Sequence, residues 1–337
     1  MSWLALDIGG ANLKAADGLG YAESFAFSLW RDAGRLAQEL RTVIAHAPAC
    51  DHLAVTMTGE LADCFETKSE GVSFILEAVN SAADGRHTRV YLADGSLVTP
   101  PVASTRPLSV AAANWHVLAT FAGRFTEQAP AMLIDVGSTT SDIVPLIDGK
   151  PVTDSQSDTQ RLLRGELVYI GVERTPIATL VDEVPYHEGT YPIARELFAT
   201  TRDVYTLLGR FPEAAIVQDT ADGKPSTKVA ARVRLGRMIC ADEGEFNHRD
   251  ATVMAEALAE SFVEELARRI QQVQSLHSHQ PTVCVVSGHG EFVAQAALDR
   301  IEFTGRRVSL KQEIDELCSR CAPAHALAVL AREEIGQ

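Results

Sequence analysis

Short apolar runs that stop at glycine alternate along this chain with longer stretches of helical period. Trp3 to Asp7 is apolar almost to its end and halts at Gly9-Gly10, and Leu13 to Ala16 can return beside it, which predicts a strand, a tight turn and a second strand. Arg31 to His46 carries Leu36, Leu40, Val43 and Ile44 at helical spacing, and the run Leu53 to Met57 before Thr58-Gly59 reads as the next strand. Tyr91 to Gly95 predicts a further strand and turn, and Ser109 is placed to cap a helix through Phe121. Ala131 to Val136, the turn Gly137-Ser138-Thr139-Thr140 and the run Ile143 to Ile147 then predict a second hairpin. Met254, Leu258, Phe262, Leu266 and Ile270 recur every four residues with Glu256, Glu260, Glu264 and Arg268 on another face, the clearest helix of the chain. It leads into the strand Thr282 to Ser287 and the turn Gly288-His289-Gly290.

The second hairpin repeats the first. Aligning Asp7 with Asp135 pairs Gly9 with Gly137, Gly10 with Ser138, Ala11 with Thr139 and Lys14 with Asp142 at a constant shift of 128 residues, which reads as an internal duplication. A chain of 337 residues exceeds the usual single core, so two lobes closing on a cleft are expected, at 1–128 and 129–337. Within the second, Pro176, Pro185, Pro192, Pro212 and Pro225 punctuate the stretch near 161–234, which predicts an inserted segment of short elements or loops.

Composition narrows the partners. Hydrophobic residues at 46% and charged residues at 22% are ordinary globular values, while a net charge of −15 repels the phosphate backbone of nucleic acid. The N-terminus has no basic region before its apolar stretch and no run approaches membrane-spanning length, so a cytoplasmic protein without a membrane partner is expected. The six cysteines form no disulfide framework, and Cys318-x-x-Cys321 has no second pair, so ordinary thiols are expected.

An acidic protein that grips an anion needs local help from backbone amides, a metal ion or a few cations. Gly9-Gly10 and Gly137-Ser138 suit a phosphate approaching turn amides without a Cβ in the way, with Thr139, Thr140 and Ser141 adding hydroxyls. Asp7 and Asp135, each ending a strand, are placed to hold a hydrated Mg²⁺, and Lys14 to neutralise a phosphate. Their carboxylates are expected to be solvated. Asp142 is a candidate metal ligand or base. Glu60 or Asp63, directly after a strand, is a candidate general base, and Lys68 an anion ligand. Gly288 and Gly290 form either a turn for the rest of a ligand or a structural turn. The cluster Arg161, Arg164, Glu166, Tyr169, Arg174 and Thr175 reads as surface ion pairs, and Asn114-Trp115-His116 as packing.

Leu6-Asp7-Ile8-Gly9-Gly10, Asp135 to Asp142 and Ser287-Gly288-His289-Gly290 together resemble the actin, sugar kinase and Hsp70-like ATPase superfamily and, within it, the hydantoinase and oxoprolinase type. The resemblance implies an α/β, two-lobed, ribonuclease H-like fold with duplicated β-hairpin cores and mixed sheets. A narrower resemblance is to proteins of tetrahydromethanopterin-linked one-carbon transfer and methanofuran biosynthesis. It is carried by Met57 to Asp63, Arg164 to Val172 with Arg174-Thr175-Pro176, Phe198 to Thr201 with Asp203-Val204-Tyr205, and Met238 to Asp242. It implies a transferase that joins an aminomethyl-furanmethyl diphosphate to the phenol of γ-glutamyl-tyramine and releases diphosphate, with ATP needed only by the alternatives, a kinase or a ring hydrolase. Ala11 stands where the superfamily's first turn usually carries a hydroxyl, a departure that weighs against kinase-like handling of ATP. The oligomeric state is not legible.

Overall fold

A computed structural model of the protein describes residues 2–155, 157–214 and 220–335; Met1, Gln156, five residues of the proline-punctuated segment and the last two residues lie outside it. Fourteen strands follow one another: β1 (Trp3–Ile8), β2 (Asn12–Ala16), β3 (Ala22–Ala26), β4 (His52–Met57), β5 (His87–Tyr91), β6 (Leu97–Val98), β7 (Ala131–Val136), β8 (Ser141–Ile147), β9 (Lys150–Pro151), β10 (Leu167–Val168), β11 (Glu183–Tyr186), β12 (Gly189–Pro192), β13 (Val283–Ser287) and β14 (Arg306–Ser309). The first sheet runs β3-β2-β1-β4-β5-β6 and the second β10-β8-β7-β13-β14. In both, the first three strands along this order are antiparallel neighbours and the next two are added in parallel. The duplication seen in the hairpins therefore extends to the order and polarity of five strands per lobe, the arrangement of the actin, sugar kinase and Hsp70-like fold.

The period of two in the central strands decides what lies between the lobes. Leu4, Leu6 and Ile8 turn outward into a core shared with the helices Leu36–His46 and Lys68–Ala82, and Met132, Ile134 and Val136 turn into one shared with the helix His248–Ser275. The alternate residues Trp3, Ala5, Ala54, Ala131, Leu133, Val283 and Val285 face a common core. Two helices fill it: Ala322–Ile335 packs on β1, β2 and β4, Asn114–Ala122 on β8 and β9, and each packs on the other. The end of the chain thus returns to the first sheet.

Two elements differ from the sequence expectation. Arg31 to His46 is divided by a 3₁₀ turn at Ala33–Arg35. The helix expected from Ser109 to Phe121 is broken into Pro107–Val110 and Asn114–Ala122, with Ala112 at φ +49°; the break places the Ala112 N–H beside the Glu60 carboxyl. The proline-punctuated stretch forms short helices and the β11–β12 hairpin around Val184, Val204, Leu235 and Phe246, closed against the N-terminal half of the long helix. Among the described residues no helix is long and apolar enough to cross a membrane.

Each hairpin turn is strapped from one side by the chain that follows the third strand of its sheet. In the first lobe the Leu29 N–H donates to Gly10 O at 2.9 Å and the Phe27 N–H to Ala11 O at 3.0 Å. In the second the Glu173 and Arg174 N–H groups both donate to Ser138 O at 3.0 Å, and the Val172 N–H to Gly137 O at 3.0 Å. Gly171 makes this strap possible, because a Cβ there would lie 2.4 Å from the Ser138 carbonyl carbon and the Thr139 nitrogen. Gly171→Ala is accordingly expected to lower stability by roughly 1–3 kcal/mol, read from urea or thermal melts, whereas Gly34→Ala, with nothing within 4 Å of its Cβ, changes it little.

Candidate functional site

The inward rows of β1, β7 and β13 are apolar until their last residue. Asp7 ends the row of β1, Asp135 that of β7, Thr56 that of β4 and Ser287 that of β13, with Asp7 opposite Thr56 and Asp135 opposite Ser287 in the parallel register. Across the antiparallel hairpins Asp7 faces Lys14 and Asp135 faces Asp142. The Lys14 Nζ lies 3.9 Å from Asp7 Oδ2. Asp7 is only 4% exposed, and Asp7 Oδ1 and Asp135 Oδ1 are buried without a hydrogen-bond partner. The expectation of solvated aspartates is therefore corrected: both lie at the floor of the cleft, where the inter-lobe core gives way to polar side chains.

Electrostatics confirms that the duplicated aspartates converge. Burial pushes the Asp135 carboxyl up to about 6, helped by Asp142 and Asp7 and opposed by Lys14. Burial also raises Asp7, with Lys14 opposing and Asp142 adding. Lys14 is raised although burial acts against it, because Asp7 and Asp135 hold its proton. Three carboxyls around one ammonium leave a site short of positive charge. Two carboxylates with water and phosphate oxygens are a usual shell for Mg²⁺, so Asp7 and Asp135 with their bare oxygens fit such an ion. Among the described residues no group of three or more His, Cys, Asp or Glu is placed to enclose a metal alone.

The first glycine of each turn spends its amide on the hairpin itself: the Gly9 N–H donates to Asn12 O at 3.0 Å and the Gly137 N–H to Thr140 O at 2.9 Å. The tips that follow face a cavity of about 470 Å³, lined among others by Gly10, Ala11, Thr139 and Thr140. Ser138 lies at the strapped side, its carbonyl capped. Beyond the tips the cavity has aromatic walls of Trp30, Trp115 and Tyr169, and Glu60, Asp142 and Asp158 reach it.

Glu60 is 1% exposed in a 3₁₀ turn after β4, and its backbone seats the helix Lys68–Ala82, since a Cβ on Gly71 would meet the Glu60 carbonyl oxygen at 2.4 Å. Burial pushes its carboxyl up to about 7, moderated by Lys68, and its Oε2 has no partner. Lys68 is engaged by Asp158 at 2.8 Å, an ion pair from one lobe to the other. Asp142 accepts from the Arg161 guanidinium at 2.9 Å, and Arg161 lies flat over Trp115, 4.2 Å from the ring centre. Arg161 and Glu166, expected as surface ion pairs, are 2% and 1% exposed: a carboxylate buried on β8 requires its counter-charge to be buried with it. Trp115, expected to serve packing alone, both packs and walls the cavity.

At the other end of the cleft Gly288 lines a second cavity of about 380 Å³ with Arg307, Lys311 and Arg320. Gly288 (φ +90°) and Gly290 are also needed by packing, because a Cβ on either would come within 2.4 Å of Val136 atoms. His289 bonds Glu173 at 2.6 Å. Cys318 and Cys321 are buried free thiols, raised by burial to about 12 and about 11. Sequence reasoning missed Thr56, Ser287, Trp30 and Asp158 as site residues. For the first two a signal existed, since Thr56-Met57-Thr58-Gly59 aligns with Ser287-Gly288-His289-Gly290.

The sequence profile of hydantoinase/oxoprolinase matches residues 51–334. The chain is 30% identical over 337 residues, 98% of both chains, to a (4-{4-[2-(gamma-L-glutamylamino)ethyl]phenoxymethyl}furan-2-yl)methanamine synthase of Methanocaldococcus jannaschii. It is 26% identical to a protein of the same name from Methanococcus vannielii, over 60% of this chain and 91% of that one. Among solved structures, an archaeal actin homologue superposes with a TM-score of 0.43 at 15% identity, over 99% of this chain and 100% of that one. The fold assignment rests on strand order and polarity.

The buried aspartate gives a pH test. The folded protein keeps the Asp135 proton up to about pH 6, whereas the unfolded chain releases it near the ordinary value of 3.8. Ionisation therefore costs stability as pH rises through that window. Asp135→Asn is expected to be more stable than the parent at pH 8, by on the order of 1–2 kcal/mol, and the advantage should vanish near pH 4. Thermal melts across pH measure both.

Proposed function

This chain belongs to the hydantoinase/oxoprolinase family, and on that premise we propose that it is the transferase of methanofuran-type cofactor biosynthesis that joins an aminomethyl-furanmethyl diphosphate to the phenol oxygen of a γ-glutamyl-tyramine-like acceptor, releasing diphosphate. The end-to-end likeness to the Methanocaldococcus jannaschii synthase, whose name describes a phenoxymethyl-furan ether, supports this reading. The observation that carries it is the form of the first cavity. It runs from the tips of two phosphate-type turns to aromatic walls, and a buried carboxyl with a bare oxygen stands between them.

In this reading the diphosphate lies between the turns, against the amides and hydroxyls of Gly10, Ala11, Thr139 and Thr140, with Lys14 as the fixed cation. Asp7 and Asp135 would hold Mg²⁺, which when bound supplies compensation for negative charge on the diphosphate. Trp30, Trp115 and Tyr169 stack the furan and phenol rings and keep water from the reacting carbon. As the phenol oxygen bonds the furan methylene, the bond from that carbon to the diphosphate oxygen breaks, its electron pair leaves with diphosphate, and Glu60 takes the phenolic proton. Glu60 suits this role better than Asp142, whose carboxylate is bound by Arg161. Lys68 contributes by holding Asp158 and moderating Glu60.

A second reading, an ATP-dependent kinase or ring hydrolase, draws on one observation, the second cavity with its three cationic side chains beside Gly288. Incubation with the furan diphosphate, γ-glutamyl-tyramine and Mg²⁺, followed by mass spectrometry, separates the two: the ether and free diphosphate are expected, whereas ADP formed from ATP without the furan substrate would sink the transferase. Inorganic diphosphate should compete with the furan substrate. Glu60→Gln is expected to lower kcat by roughly 10²- to 10⁴-fold while leaving diphosphate inhibition intact. Because the base must be ionised, the activity of the parent should rise with pH through a limb near 7 that the variant lacks.

A further inference from the structure

Two buried hydroxyls have no packing role that a methyl group would not fill as well. Thr56 and Ser287 are both 0% exposed; neither Oγ meets the geometry of a full hydrogen bond, although the Ser287 hydroxyl stands close enough to Asp135 to lower its carboxyl. An unpaired buried hydroxyl costs about 1–3 kcal/mol. They occupy equivalent places in the duplicated lobes: each is on the parallel strand beside an aspartate, in direct register with it, and each follows an apolar residue of the shared core, Ala54 or Val285, on the inward face. The atoms left bare on those aspartates, Asp7 Oδ1 and Asp135 Oδ1, are in the same situation. Four buried polar atoms, two per lobe, thus lie in register at the ends of adjacent strands, next to the hairpin turns. Chance placement of a polar residue in a core does not repeat itself on both sides of a pseudo-twofold axis.

We propose that Thr56 and Ser287 are the positioning residues of the two aspartates, their hydroxyls fixing the Asp7 and Asp135 carboxylates for a divalent cation and its diphosphate. A hydroxyl can donate to a carboxylate while accepting from a cation-bound water, which neither valine nor alanine can do. This places an equivalent hydroxyl–carboxylate pair in each lobe. The inference rests on the cation reading of the preceding subsection.

The test uses the full chain without substrates and Mn²⁺ as the probe, titrated calorimetrically in the presence and absence of inorganic diphosphate. Thr56→Val and Ser287→Ala should each weaken Mn²⁺ binding by about 10- to 100-fold with melting temperatures unchanged or raised, and Thr56→Ser should bind as the parent does. Parent-like binding by Thr56→Val and Ser287→Ala, alongside lost binding by Asp7→Asn, would overturn the inference and leave the cation site standing. Parent-like binding by Asp7→Asn would remove the cation reading itself. Weak binding in Thr56→Val that tracks a lowered melting temperature and is not restored by Thr56→Ser would also overturn it, as the mark of a packing residue.

Discussion

Three carboxyls and one ammonium, drawn from equivalent ends of two duplicated sheets, are forced together at the floor of the cleft, and the remainder of the site answers that charge imbalance. Asp7, Asp135 and Asp142 stand around Lys14 with most of their solvation removed. A buried carboxylate without compensation costs several kcal/mol, and only Asp142 receives a full partner, in Arg161. The others keep a bare oxygen each. Such an arrangement persists only where the backbone leaves no choice. The straps on the two turns, the close seat of Gly171 against Ser138 and the two helices wedged between the sheets supply that constraint. The energy of folding is spent in holding carboxyls where a bound cation would relieve them.

The cavity beside this cluster divides its chemistry by position. One part of its lining is polar and comes from the hairpin turns and Asp142, while the aromatic part comes from two helices and a loop, through Trp30, Trp115 and Tyr169. Arg161 links the two, since one guanidinium neutralises Asp142 and stacks on Trp115. Arg174 lies over Trp30 in the same manner, 4.7 Å from the ring centre. Tryptophan rings held on one face by an arginine lose rotational freedom before any substrate arrives, which lowers the ordering cost of binding an aromatic acceptor.

The hairpins were legible because their signal is local: an apolar run, a glycine turn and a returning run, twice, with the aspartate in the same place. That repetition reached the fold class, the cleft and the cluster of Asp7, Lys14, Asp135 and Asp142. The burial of Arg161 and Glu166 was not legible, because charged residues on a short helix and turn read as surface unless it is known that β8 presents a buried carboxylate to Arg161 and that Arg164 and Thr153 close on Glu166. Trp30 and Asp158 carry no motif at all; they reach the site through the packing of segments distant in sequence. Glu60 was singled out by its position after a strand, but its inaccessibility depends on Gly71 letting a helix rest on its backbone.

Duplication gives the protein two similar supports, and one of the differences between them gives the site a direction. The residue facing the strand-end aspartate is Lys14 in the first hairpin and Asp142 in the second, at the same place in the register. Had both been lysine, a diphosphate would be held equally from either side; had both been aspartate, it would be repelled from both. With one of each, the two hairpins differ in charge, and the carboxylate of the second is the one that Arg161 neutralises. Glu60, with one bare oxygen and a carboxyl that burial pushes up to about 7, reaches the same cavity as Asp142 and Arg161.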